Sequence, residues 1–466
     1  MTNGSDNGAL HPTIFVILGI TGDLAARKLL PALLALYSKK LLPQRFAVIG
    51  FSRRTFSREE FRELIRGKMN IRPGQFKEEE IKHFLDHISY EQGYFDDAPA
   101  YDRLERRIET IDRAWGQCSN KLFHLSVPPS MYEGILKNLA ASRLTLACDD
   151  GTGWTRILIE KPFGSDITAA RSLDKLLGKL FKEDQIFRID HYLAKEALQN
   201  ILAFRFANSM FEPIWNNDFV NRVHIKLFEK IGVEGRGNLY DSLGALKDVG
   251  QNHLLQMLAL VAMEKPKSFA AKDIRRERAK VLNALEGINP RRLEKSVARG
   301  QYEGYAAEPG VARDSKTETY FRLDARVNSR RWKGVPFYLE SGKCFDETKT
   351  EIDIYWKGGN GIDKQNILTF RVQPEECIKV RFFVKVPGYE WKMEPKALKF
   401  KYSDNPAFGE APNDYERLIH DAFTGDQTLF ASTDEIMASW KFVTPILENW
   451  EKLPLKKYPR GVREIE

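Results

Sequence analysis

Four short, unbroken apolar runs govern what the first 180 or so residues can become: TIFVILG at 13–19, FAVIGFS at 46–52, KLFHLSV at 121–127 and RILIEKP at 156–162. A run that is apolar at successive positions, rather than at every second one, fits a strand buried on both faces. Helical periods lie between the runs. Leu30, Leu33, Leu34 and Tyr37 recur at i, i+3, i+4 and i+7, and SREEFRELIRGKM opens with Ser57 and Glu60 at capping-box spacing. YDRLERRIETIDRAW supplies another helix. Strands alternating with helices predict a parallel sheet with right-handed crossovers.

Beyond about residue 200 the texture changes. FVNRVHIKLFEK, YFRLDARV, GVPFYLESGK, TEIDIYWK, NILTFRVQP and CIKVRFFVKV are alternating runs separated by turn residues. They predict a large, mostly antiparallel sheet. One long helix is expected over 240–263, with others near 413–424 and 433–450. A chain of 466 residues is too long for one ordinary core. The expected architecture is an α/β, Rossmann-like domain over 1–190, then an α+β domain over 191–466.

Net charge is +8, spread along the chain and interleaved with Asp and Glu, so there is no focused footprint for nucleic acid. A small anionic substrate or cofactor accounts for the excess. Cys118, Cys148, Cys344 and Cys377 stand far apart, with no CxxC pair and no His cluster at metal spacing. The expectation is a reduced compartment, no disulfide framework and no bound metal. MTNGSDNGAL has neither Lys nor Arg and no apolar core, unlike a signal peptide. No apolar run approaches the roughly 20 residues of a membrane span. A cytoplasmic protein without a membrane partner is expected.

The first strand ends in GITGDLAARK, with Gly19 and Gly22 three apart. Small residues there let backbone amides approach a pyrophosphate at a helix N-terminus. A plain turn is the alternative, and the place after the first strand of an alternating half favours the cofactor, which makes 1–190 a dinucleotide-binding domain. The second strand ends GFSRR, with Arg53 and Arg54 and no carboxylate for a ribose hydroxyl. Two guanidinium groups suit a 2′-phosphate, so NADP is favoured over NAD. RIDHYLAKE at 188–196 gathers Asp190, His191, Tyr192 and Lys195 within six residues. Either this is a solvated helix start or it grips an anion and moves a proton.

With these residues assembled, the chain resembles the glucose-6-phosphate dehydrogenase family over nearly its whole length. GITGDLA looks like that family's coenzyme loop, which implies cofactor contacts at Gly19, Thr21, Gly22, Asp23 and Leu24. EKPFG, RIDHYLAKE, ALKDVGQNHLLQ, GVPFYLESGK and YERLIHDAFTGDQTLF follow in the family's order. The resemblance implies oxidation of β-D-glucose 6-phosphate at C1 to the lactone, with hydride passing to NADP, the first step of the oxidative pentose phosphate pathway. Such chemistry needs a base for the hydroxyl proton, and a histidine held by a carboxylate suits it. The residues alone leave His191 and His253 as candidates. The resemblance makes His253 the base and Asp190 its orienting carboxylate, with His191, Tyr192 and Lys195 as the phosphate pocket. It places Lys161 between nicotinamide and sugar, with a cis bond at Pro162. Glu229, Asp248, Lys343 and Gln373 become further substrate contacts, and Thr21, Arg53 and Arg54 meet the NADP 2′-phosphate. A homodimer built through the large sheet, or a homotetramer, is also implied.

The chain departs from the family in four places. Ala26 and Thr348 stand where basic residues are usual, the latter beside Lys349. Ala194 replaces a Gly, and Gly250 interrupts a helix where a bulky residue is common, which suggests close packing. Two alternatives therefore stay open: a dehydrogenase of the same fold acting on another sugar, phosphorylated or not, and a non-catalytic regulatory homologue. His191, Tyr192 and Lys195 argue for a phosphorylated substrate, and His253, Asp190 and Lys161 argue for a catalyst.

Overall fold

Residues 11–148, 151–358, 365–405 and 411–465 are described by a computed structural model. The reading of MTNGSDNGAL falls outside these described residues. Two compact units emerge. The first comprises the chain up to Gly164 together with Thr168–His191 and Pro412–Thr433, and the second comprises Ser165–Ile167, Tyr192–Ala411 and the chain from Asp434 onward.

In the first unit the four apolar runs are strands, joined by two more that are less apolar: β1 (Thr13–Leu18), β2 (Phe46–Ser52), β3 (Ile88–Gln92), β4 (Asn120–Leu125), β5 (Thr155–Ile159) and β6 (Ile186–Ile189). They pair in parallel in the order β6-β5-β4-β1-β2-β3. Every residue of β1, at the centre, is buried, which is why its sequence lacks alternation. The edge strand β3, ISYEQ, is half polar and gives no such signal. Ser57 caps the helix Arg58–Lys68 as expected, its hydroxyl accepting from the Glu60 N–H while the Glu60 carboxylate accepts from the Ser57 N–H.

A late segment completes this sheet. Phe430–Ala431 pairs antiparallel with β6. The Arg156 guanidinium donates to the Ala422 and Phe423 carbonyls at 2.7 and 2.9 Å, and Gln427 Nε2 donates to the Ile186 carbonyl at 3.0 Å. The expectation of no disulfide is corrected: Cys118 and Cys148 are bonded, with Cα atoms 6.1 Å apart. They lie 30 residues apart in the sequence. The segments before the paired strands β4 and β5 bring them together, a closeness that spacing rules do not read.

The second unit holds β7 (Val220–Phe228), β8 (Val297–Tyr302), β9 (Tyr320–Ala325), β10 (Phe337–Gly342), β11 (Lys349–Trp356), β12 (Ile367–Gln373), β13 (Cys377–Lys385), β14 (Met393–Lys401) and a last strand, Leu455–Tyr458. Their order is β14-β13-β12-β11-β7-β10-β9-β8-last. Among the described residues, only β7 with β10 and β8 with the last strand pair in parallel. The expected mostly antiparallel sheet is found. Burial alternates along β12, and the helix Glu196–Ala207 packs on it.

The single helix expected over 240–263 is three pieces: Gly237–Asp241, a π-helix Leu246–Leu254 and an α-helix Leu255–Ala262. The interruption has a tertiary cause. Gly244 adopts φ +72°, and the Glu318 carboxylate occupies the space that a Cβ there would need. Glu318 then accepts the Leu246 N–H at 3.0 Å and starts the π-helix. Among the described residues no helix is long and apolar enough to cross a membrane.

Candidate active site

The first unit builds a cleft at the carboxyl ends of β1, β2 and β4, where the strand order reverses direction. In open α/β sheets this is where nucleotides bind. The cleft has a volume of about 640 Å³, with Gly19, Thr21, Gly22, Ser52, Arg53 and Ser126 in its lining. Gly19 has φ +92°, and a Cβ there would run into the Ser126 carbonyl and lie 2.8 Å from Val127 Cγ1. Only glycine fits, so the backbone stays bare. Bare backbone, a guanidinium and the apolar walls of Tyr94 and Met131 suit a dinucleotide.

The turn carrying the arginines is held from β3. The Tyr90 hydroxyl donates to the Ser52 carbonyl at 2.8 Å, and Gln92 Nε2 donates to the Arg53 carbonyl at 3.1 Å. Tyr90 stacks on Phe61 at 4.5 Å, and burial pushes its phenol up, so it stays a donor. Of the other expected cofactor residues, Asp23 and Leu24 begin the helical turn after the loop, and Arg54 follows Arg53 in the exposed turn.

Lys161, Asp190 and His191 also belong to the first unit. Lys161 follows β5, half-buried, with a cis bond to Pro162 as the resemblance implies. Its neighbour Glu160 accepts from the Tyr415 hydroxyl at 3.0 Å and lies 3.3 Å from His124 Nε2. Burial, with the Glu160 charge beside it, drives the Tyr415 phenol well above its ordinary range. Asp190 is 2% exposed at the end of β6.

The second unit brings together two further groups of expected residues. The Tyr192 ring lies 4.3 Å from the His253 ring, and Lys195 Nζ lies 5.9 Å from the same Tyr192 ring. The Lys195 N–H donates to the Tyr192 carbonyl, closing the turn, and the Lys195 carbonyl accepts from Leu198 and Gln199 to start the next helix. His253, 2% exposed, rides on the π-helix. Such widened turns recur at functional sites.

In the other group, Lys343 is paired with the Glu229 carboxylate, and its ammonium lies 5.1 Å from the Tyr240 ring. Burial, then the Asp248 charge, pushes the Tyr240 phenol well above its usual value. Lys343, Glu229 and Asp248 thus share one neighbour. Sequence reasoning missed Tyr240 and Glu318, because no period or spacing ties either to residues so distant in the chain. Gln373 ends β12, its backbone opposite Thr350, and precedes a second cis proline, Pro374.

Of the departures, Gly250 has the physical reason expected: a Cβ would fall 2.7 Å from Phe321 Cζ and 2.8 Å from Leu246 Cδ1. Ala26 and Ala194 are buried at 5% and 3% exposure. Thr348 accepts the Lys230 N–H at 3.1 Å, and Lys349 is engaged by Glu347 at 3.0 Å.

Two family profiles together span the chain: glucose-6-phosphate dehydrogenase, NAD binding domain, over 16–200, and glucose-6-phosphate dehydrogenase, C-terminal domain, over 202–465. The chain is 38% identical to the glucose-6-phosphate 1-dehydrogenase of Chlamydia pneumoniae, over 96% of this chain and 91% of that one. It is 40% identical to glucose-6-phosphate 1-dehydrogenase 5, cytoplasmic, of Arabidopsis thaliana, over 97% and 89%. A solved glucose-6-phosphate dehydrogenase in complex with its substrate glucose-6-phosphate superposes with a TM-score of 0.91 at 34% identity, covering 98% of this chain and 96% of that one. With both halves matched and the coenzyme cleft formed, this chain belongs to the glucose-6-phosphate dehydrogenase family.

Proposed function

We propose that this chain oxidises β-D-glucose 6-phosphate at C1 to 6-phosphoglucono-1,5-lactone. The observation that carries the reading is the likeness, over nearly the whole chain, to a relative solved with that substrate. His253 takes the hydroxyl proton as the carbonyl forms, and Asp190 orients the imidazole and stabilises its charged form. Lys195, His191 and Tyr192 hold the phosphate dianion. Glu229, Asp248, Lys343, Gln373 and Lys161 meet the sugar. Gly19, Thr21, Gly22, Asp23 and Leu24 carry the coenzyme, with Arg53 and Arg54 on its 2′-phosphate. Bound NADP supplies the hydride acceptor. A homodimer or homotetramer in the cytoplasm completes the reading, in keeping with the relative named cytoplasmic.

The test follows NADPH absorbance with glucose 6-phosphate, glucose and glucosamine 6-phosphate in parallel, for the wild type and His253→Asn. Turnover is expected chiefly with glucose 6-phosphate, and the variant should lose about two to four powers of ten in kcat with little change in KM. Faster turnover of another sugar would make this a same-fold dehydrogenase of different specificity. Silence with all three would point to the regulatory homologue.

A further inference from the structure

The turn that carries Lys343 is gripped from two sides. On one side stand residues that flank the sheet strands β7 and β9. The Lys343 N–H donates to the Thr319 carbonyl at 3.0 Å, the Cys344 N–H to Ile231 at 3.1 Å and the Phe345 N–H to Glu229 at 3.0 Å. The other side is formed by the C-terminal segment. The Tyr458 hydroxyl donates to the Lys343 carbonyl at 2.9 Å, the Gly461 N–H donates to the Cys344 carbonyl at 2.7 Å, and the Asp346 N–H donates to the Val462 carbonyl at 3.1 Å. Arg463 Nε adds a bond to the Asp346 carboxylate at 2.9 Å.

We infer that this C-terminal segment is a strap that sets the position of Lys343, with Tyr458 as its positioning residue. The inference rests on the assignment of Lys343 to the substrate. Cys344, next to Lys343, has φ +57°, a left-handed conformation that a side chain with a Cβ disfavours. Such a residue persists where its surroundings over-determine it, and here four of the seven bonds to the turn come from the strap. Tyr458 lies at the centre of a relay. The Tyr302 N–H donates to Thr319 Oγ1 at 2.9 Å, that hydroxyl meets the Tyr458 hydroxyl at 2.8 Å, and Tyr458 reaches the Lys343 carbonyl. Burial keeps the phenol protonated, hence a donor. The ammonium end of Lys343 is held by the Glu229 carboxylate, whose backbone carbonyl also accepts the Phe345 N–H, so the strap acts on the turn's backbone and not on the head group. A misplacement of about 1 Å in a positioning group is enough to impair binding or turnover.

Tyr458→Phe removes the hydroxyl but keeps the ring among Tyr302, Tyr320 and Phe345. A second variant stops after Arg460 and so loses the contacts from Gly461, Val462 and Arg463. Lys343→Ala is the reference. The readouts are KM and kcat for glucose 6-phosphate, NADP affinity by fluorescence titration, and melting temperature. The strap predicts that Tyr458→Phe raises KM for glucose 6-phosphate roughly three- to tenfold, with kcat and NADP affinity held within about twofold. The shortened chain moves the same constant in the same direction. If Lys343→Ala raises KM while Tyr458→Phe and the shortened chain leave it alone, the strap is refuted and the Lys343 assignment stands. Should Lys343→Ala itself leave KM unchanged, the assignment falls first and the strap loses its function with it. A parallel decline of KM, kcat, NADP affinity and melting temperature would also refute it, because that is how a general prop behaves.

Discussion

Arg53 is a residue whose place beside the cleft is local enough to read from the chain. It stands directly after an apolar strand, and the position after the second strand is where a ribose is recognised. The structure puts it in the lining of the coenzyme cleft. A charge-assisted contact to phosphate contributes roughly 1.5–3 kcal/mol, or about a ten- to hundredfold difference in affinity. Arg53→Ala should therefore weaken NADP, by titration and in KM, by at least about tenfold, and leave NAD kinetics nearly unchanged. Equal losses with both cofactors would mean that the side chain merely supports the turn. Tyr240 and Glu318 show the opposite limit. Their importance comes from which side chains the second sheet sets beside them, and nothing within a few residues of either announces it.

Among the elements, periodicity located the strands with an alternating or wholly apolar face, and it failed where tertiary contacts override it. The edge strand β14 has lysines along its exposed length and so carries no clean alternation. The stretch from 240 to 263 looks like one helix because its apolar positions recur correctly on both sides of the break. Its division depends on Glu318, some 70 residues away, reaching the Leu246 N–H. Gly250 within the π-helix is a sharper case. Alanine ordinarily gains about 1 kcal/mol over glycine in a helix, but here its Cβ would press on Phe321, which is fully buried. Overpacking costs about 1–3 kcal/mol, and the second effect should win. Gly250→Ala is expected to lower the urea midpoint of the second unit. A raised midpoint would mean that the Phe321 ring gives way freely.

For the molecule as a whole, the sequence carried the change from parallel to antiparallel architecture, because strands covered on two faces and on one face need different compositions. Strand order and long-range closure were not legible: Cys118 meets Cys148 across neighbouring strands, and Pro412–Thr433 joins the first unit. A fragment ending at residue 191 should accordingly be deficient. It would lack the partner of β6 and the carbonyls that hold Arg156. Circular dichroism and NADP titration should find it poorly folded and weak in binding, and appending residues 412–433 through a flexible linker should improve both. A fragment that folds and binds fully on its own would make the late segment dispensable. In the cell the same arrangement becomes a matter of timing. A ribosome adding about 5–20 residues per second takes about 12–50 s to pass from residue 191 to residue 433. Throughout that interval the nascent β6 edge has no strand to pair with, so this part of the enzyme must wait, open to chaperones and to neighbouring chains, for a piece that lies more than 200 residues further along the chain.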